Sequence, residues 1–114
     1  MTTITKLMLS GSTDGRPVKI AATASPGTMI HTAHATALDE VWLWATNTDT
    51  VTREVSFQFG GTTSPDDLIA GSIPARSGLV LVVPGLVVTN GAVLRAFCAT
   101  ANVVNVVGFV NRIG

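Results

Sequence analysis

His31 and His34 are the only histidines of this 114-residue chain, and with Cys98 they are the first residues to consider for metal or acid–base chemistry. A spacing of three places them on opposite faces of an extended strand, where side chains alternate. No second cysteine or histidine cluster offers the remaining ligands a metal needs, so both are expected to be structural or surface residues. The acidic pairs Asp39-Glu40 and Asp66-Asp67 carry the carboxylates for acid–base work or calcium binding. Neither sits in the alternating acidic loop with a downstream glutamate that calcium favours, and Asp66-Asp67, directly after Ser64-Pro65, reads as turn chemistry. Gly11-Ser12-Thr13-Asp14-Gly15-Arg16 is glycine-rich but lacks the Lys-Ser/Thr end of a phosphate-binding loop. No Gly-x-Ser-x-Gly elbow or Ser/His/Asp order presents a nucleophile. Cys98 falls on the Leu94 and Ala96 face of its segment and is expected to be a small buried hydrophobe. Trp42 and Trp44, two apart, share one strand face. Core packing is the first expectation for them, a subunit contact the second, and a carbohydrate platform the competing one. No catalytic residue, metal site or cofactor is expected.

The elements that must carry these residues are strands. Val and Thr recur throughout; their branched side chains lose rotamer freedom in helices and pack well on a pleated surface. Short apolar runs, punctuated by Gly, Pro, Asn and Asp at about ten-residue intervals, are the pattern of a sandwich or barrel. The expected strands are Ile4–Ser10, Val18–Ala24, Met29–Ala33, Val41–Asn47, Arg53–Phe59, Leu68–Ile73, Leu79–Val83, Leu86–Thr89, Ala92–Ala99 and Val103–Arg112. Within Arg53–Phe59, Val55, Phe57 and Phe59 alternate with Glu54, Ser56 and Gln58, predicting one buried and one wet face. Pro84-Gly85 predicts a type II turn, and Asn90-Gly91 a hairpin closed by a type I′ turn.

Only 12% of the residues are charged, seven basic against seven acidic, where an average domain has about 25%. The basic residues are scattered, which argues against following a phosphate backbone, so no nucleic acid is expected as a partner. The longest apolar run, Leu79 to Val88, is broken by Pro84-Gly85 and is shorter than the ~20 residues of a membrane helix. No membrane partner is expected either, and the start of the chain lacks the basic and apolar regions of a signal peptide. Synthesis in a cytoplasm, with the chain soluble until it assembles, follows as the expectation. A chain this short leaves roughly a third of its unfolded-state area exposed, so its surplus apolar surface should be covered by other chains. The last expected strand is apolar on both faces. Val104, Val106, Val107, Phe109 and Val110, with Trp42 and Trp44, are therefore the expected interface residues. The domain should span residues 1–114, with 1–17 as a candidate docking segment.

The run Ile30-His31-Thr32-Ala33, then Asp39-Glu40-Val41-Trp42-Leu43-Trp44-Ala45-Thr46-Asn47-Thr48, Glu54 to Gly61, Ile73-Pro74-Ala75 and Leu79 to Gly85 resembles small β-sandwich virion proteins of tailed bacteriophages, the head decoration, head-fibre and tail accessory types. The likeness runs from about Val18 onward and rests on strand order and turns, with no catalytic motif. It implies an antiparallel sandwich, jelly-roll-like or immunoglobulin-like, that forms a homo-oligomer, often a trimer, and has no enzymatic activity. The function expected is capsid decoration on the outer surface of the head, with the major capsid protein as partner. A tail, neck or fibre component is the alternative, and a carbohydrate-binding module using Trp42 and Trp44 the second.

Overall fold

Nine strands form in a computed structural model that describes residues 2–114, and no helix is present among them. They are β1 Ile4–Met8, β2 Val18–Lys19, β3 Thr28–Thr32, β4 Leu38–Asn47, β5 Arg53–Phe59, β6 Leu68–Ile73, β7 Val80–Val88, β8 Val93–Cys98 and β9 Val104–Ile113. One sheet has the order β1-β9-β4-β7, with β2 continuing the β1 side of β9; the other has the order β3-β8-β5-β6. Every pairing is antiparallel. With β2 set aside, successive strands cross between the sheets at every connection except β5–β6. That eight-stranded double-sheet order is the jelly roll, which decides between the two sandwich types.

β4 shows why the sheets close on each other. Asp39, Val41, Leu43, Ala45 and Asn47 point inward and are buried, while the residues between them are only partly covered. Val55 and Phe57 of β5, Leu94, Ala96 and Cys98 of β8, and Val104, Val106 and Val110 of β9 complete the core from both sheets. Burial of side chains this size is worth about 1.5–3 kcal/mol each, and the sandwich rests on their sum.

Three local expectations change. Asn90 and Gly91 have φ of 59° and 67°, and the Ala92 N–H donates to the Thr89 carbonyl at 3.2 Å, as a type I′ turn requires. The strands on either side belong to different sheets, however, so the turn is an inter-sheet corner and not a hairpin. Pro84-Gly85 is not a turn: β7 runs through it, and its register against β4 shifts between Val41 and Trp42 and again between Leu43 and Trp44. Gly85, at φ 74°, takes up the first of these bulges. Pro84 is tolerated because β7 is an edge strand. Val18–Ala24 shrinks to Val18–Lys19, although Ile20 still donates to the Val104 carbonyl at 2.9 Å.

Residues 1–17 hold β1, which pairs with β9 from Ile4↔Ile113 to Met8↔Phe109, and Leu9, which enters the core. Met1, at the head of that segment, lies outside the described residues.

Candidate functional site

Two arrangements could do chemistry or recognition, one inside the sandwich and one on its surface. The inner one is assembled by a bulge. In β3, Met29 pairs with Arg95 but His31 with Leu94, so Ile30 is an extra residue, and the bulge turns both Ile30 and His31 inward. His31 is 2% exposed and meets Asp39, which is fully buried. The Ser10 N–H donates to His31 Nδ1 at 3.1 Å. The ring proton therefore sits on Nε2, which donates to Asp39 Oδ2 at 2.8 Å. On the other side of the carboxylate, Arg112 donates from Nε to Oδ1 at 2.8 Å and from Nη2 to Oδ2 at 3.0 Å. The His34 N–H adds a longer bond to Oδ2 at 3.3 Å. The Arg112 hydrogen bond, with help from His31, holds the Asp39 carboxyl at about 2 against the burial that would raise it. The same bond raises the Arg112 guanidinium.

An aspartate oriented on a histidine is the base half of a nucleophilic triad, yet the other nitrogen here is already committed to a backbone donor. Ser10 Oγ, the nearby hydroxyl, accepts from the Thr32 N–H at 2.7 Å. With His31 sealed from solvent, the group works as a tie joining the end of β1, β3, β4 and β9. His34 is exposed and accepts from the N–H groups of Thr36 and Ala37 at 3.0 and 2.9 Å, capping its own loop. Asp67 Oδ2 accepts from the Thr63 N–H at 3.0 Å, a local turn bond. Among the described residues no three His, Cys, Asp or Glu side chains are grouped as metal ligands.

The surface arrangement is the outer face of the five-stranded sheet. The seven expected interface residues divide across it. Val104, Val106 and Val110 are wholly buried in the core and offer no contact surface. Val107, Phe109, Trp42 and Trp44 lie on the opposite, outer face, each partly covered. The expectation of core tryptophans fails because β4 alternates the other way: Val41, Leu43 and Ala45 take the interior. Trp42, Trp44 and Phe109 have ring centroids 6.0–6.4 Å apart and planes within 30° of parallel. The Trp42 indole lies against the backbone of Gly85, where an added Cβ would come within 2.7 Å of it. Trp42 Nε1 donates to Glu40 Oε1 at 2.8 Å, and Asn111 Nδ2 donates to the same oxygen at 3.1 Å. The indole bond first, and the amide bond second, lower the Glu40 carboxyl from its ordinary value. Lys6 places its Nζ 4.5 Å above the Phe109 ring, within cation–π range.

Cross-strand register extends this cluster into rows. Met8, Phe109, Trp42 and Pro84 lie opposite one another; so do Lys6, Asn111, Glu40 and Val87, and Ile4, Ile113 and Leu38. Ile4, Met8, Leu38, Leu81 and Val87 are among the exposed large hydrophobic residues of the chain. The outer face of the other sheet is more polar, carrying Glu54, Ser56, Ser72 and Arg95. Gln58 also points that way but is buried: its Oε1 accepts from the Gly27 N–H and its Nε2 donates to Ser25 Oγ, both at 2.8 Å. A cleft of about 270 Å³ opens between β6 and β7, lined by Phe57, Ile69, Ile73, Val80 and Val82 with Ser72 as its only polar side chain.

No protein-family model, curated protein or solved structure matches the chain.

Proposed function

We propose that the protein is a structural, non-enzymatic component of a tailed-phage virion, with capsid decoration as its role, and that its sheet face is closed by protein contact in the assembled particle. The observation that carries this reading is the outer face of the five-stranded sheet. Three aromatic rings and five exposed aliphatic or methionine side chains share one side of a domain with few charges. Met8, Val107 and Leu81 adjoin the three rings as one apolar patch, and patches of this kind mark contact sites. The jelly-roll order adds support, because that fold recurs in viral capsid domains, though a fold alone assigns no role. The strand and turn resemblance to phage virion proteins supplies the choice of particle. The mechanism is passive: assemblies of this chain add contact where shell subunits, the major capsid protein, meet. The contribution of about 25 cal/mol per Å², less the association cost, is multiplied over the shell.

Glycan binding is the second reading, favoured by surface rings beside a carboxylate and an amide. It has less ring surface to use: Lys6 covers one face of Phe109, and Trp42 spends its only N–H on Glu40. The experiment is to purify the particle, count copies of this chain and locate them by reconstruction. Copies distributed over the head surface support decoration. A few copies in a ring at the tail or neck move the protein there, and absence from the particle refutes the reading. A glycan array with the isolated protein tests the second.

A further inference from the structure

We infer that the outer face of the five-stranded sheet is covered by a second copy of this chain, packed face to face about a two-fold axis running along β9. The inference rests on the reading that protein contact closes this face, and it names the occupant.

The register carries it. β9 is flanked by β1 on one side and β4 on the other, and three outward rows cross it: Ile4–Ile113–Leu38, Lys6–Asn111–Glu40 and Met8–Phe109–Trp42. A two-fold rotation about β9 lays β1 of one copy over β4 of the other, row upon row. Ile4 then faces the partner's Leu38, Lys6 faces the partner's Glu40, and Met8 faces the partner's Trp42. Apolar meets apolar, cation meets carboxylate, and a thioether meets an aromatic ring, a favourable contact in its own right. Each match occurs twice, as an isologous interface requires. A two-fold axis across the strands would instead stack Lys6 on Lys6 and Glu40 on Glu40, which like-charge repulsion opposes.

Lys6 rests over the Phe109 ring and Glu40 Oε1 accepts from Trp42 and Asn111, but neither charge is neutralised. Among the described residues Lys6 and Glu40 have no oppositely charged partner within salt-bridge distance. Ile4 is 67% exposed, Met8 56% and Leu38 44%, so the flanking rows are open. β9 and β4 run about 33 Å and β1 about 17 Å, so at a spacing of about 4.8 Å the three strands project about 400 Å² per copy. The pair covers about 800 Å² before side-chain relief is added, a size that fits weak, concentration-dependent pairing. A cyclic trimer would need two different patches that fit each other; this pattern fits itself.

Sedimentation and light scattering of the full chain at micromolar to submillimolar concentration provide the test. The parent is expected to pair, whereas Lys6→Glu and Glu40→Lys should each weaken pairing about tenfold or more and run as single 11.8 kDa chains. Mixed in equal amounts, the two variants should pair with each other, because one face then carries two acids and the other two bases. The double exchange in one chain should pair as the parent does. Circular dichroism and the thermal midpoint check that each variant folds. If a reversal unfolds the domain, Ile4→Asp, at an exposed position, tests the same contact and should abolish pairing. A parent that stays at 11.8 kDa throughout, or mixed reversals that stay apart, overturn the inference. Probing purified particles for the chain tests the virion reading separately. A pair in solution with no copies in the particle overturns that reading alone.

Discussion

Asp39→Asn replaces an acceptor that serves four N–H donors, from His31, His34 and twice from Arg112, with a group that has one acceptor oxygen. The new amide must aim its own N–H groups at one of those donors, deep in the sandwich. Truncating one partner of a buried ion pair costs about 3–5 kcal/mol; Asn keeps the volume and part of the bonding, so about 3 kcal/mol is expected near neutral pH. Part of that is electrostatic and titrates. The carboxyl is depressed from 3.8 to about 2, and a depressed acid contributes stability that is fully present above its unfolded value and is lost as pH falls through the folded one. The arithmetic gives about 2 kcal/mol. Urea unfolding of parent and variant at a series of pH values is the assay. The stability gap should be constant from neutral pH down to about 5 and then narrow by about 2 kcal/mol as pH approaches about 2. A gap that stays flat through the acid range would refute the assignment of Asp39 as an ionised hub, and a gap below about 1 kcal/mol at neutral pH would refute its role as a tie.

The two faces of β9 should respond oppositely to charge. Val104→Lys with Val106→Lys buries two ammonium groups in the core and should unfold the domain, as read by loss of the cooperative thermal transition. Val107→Lys with Phe109→Lys should leave a folded protein that no longer self-associates or loads onto particles; retained folding and loading in both pairs would contradict this division. Gly91→Val meets no atom within 4 Å but must hold φ near 67°, so it should lose about 1–2 kcal/mol for backbone reasons alone, read as a lower thermal midpoint. Gly85→Ala should displace the Trp42 ring that lies against it, shifting tryptophan emission and increasing acrylamide quenching, with the fold retained.

The strands were legible in the chain because a two-residue alternation of Val, Ile and Phe against polar residues is a local signal. Arg53–Phe59 falls where the alternation puts it. Sheet membership was not legible. Asn90-Gly91 adopts the backbone it encodes, but the same turn serves a hairpin or a corner, and only the pairing of β8 with β3 and β5 decides. β4 is apolar at both parities, so nothing local says whether Trp42 and Trp44 or Val41 and Leu43 go inside. The His31–Asp39–Arg112 tie joins residues 8 and 73 positions apart, and the bulge at Ile30 that aims His31 has no glycine or proline to mark it. Gln58 sits on the side of β5 that alternation marks as wet, and it is covered only because the Ser25 to Gly27 loop folds over it.

The broken register of β7 bears on behaviour at high copy number. A straight edge strand offers a ladder of free amides and carbonyls to any neighbouring molecule, and in a crowded particle or a producing cell that ladder invites open-ended growth into fibres. Here the edge lacks an amide at Pro84 and steps out of register twice within a few residues. A second chain cannot zip along it without leaving groups unmatched. Strand addition at this edge is discouraged while the neighbouring broad face stays open, so contact through the broad face, which can close on itself and stop, is favoured over contact that propagates.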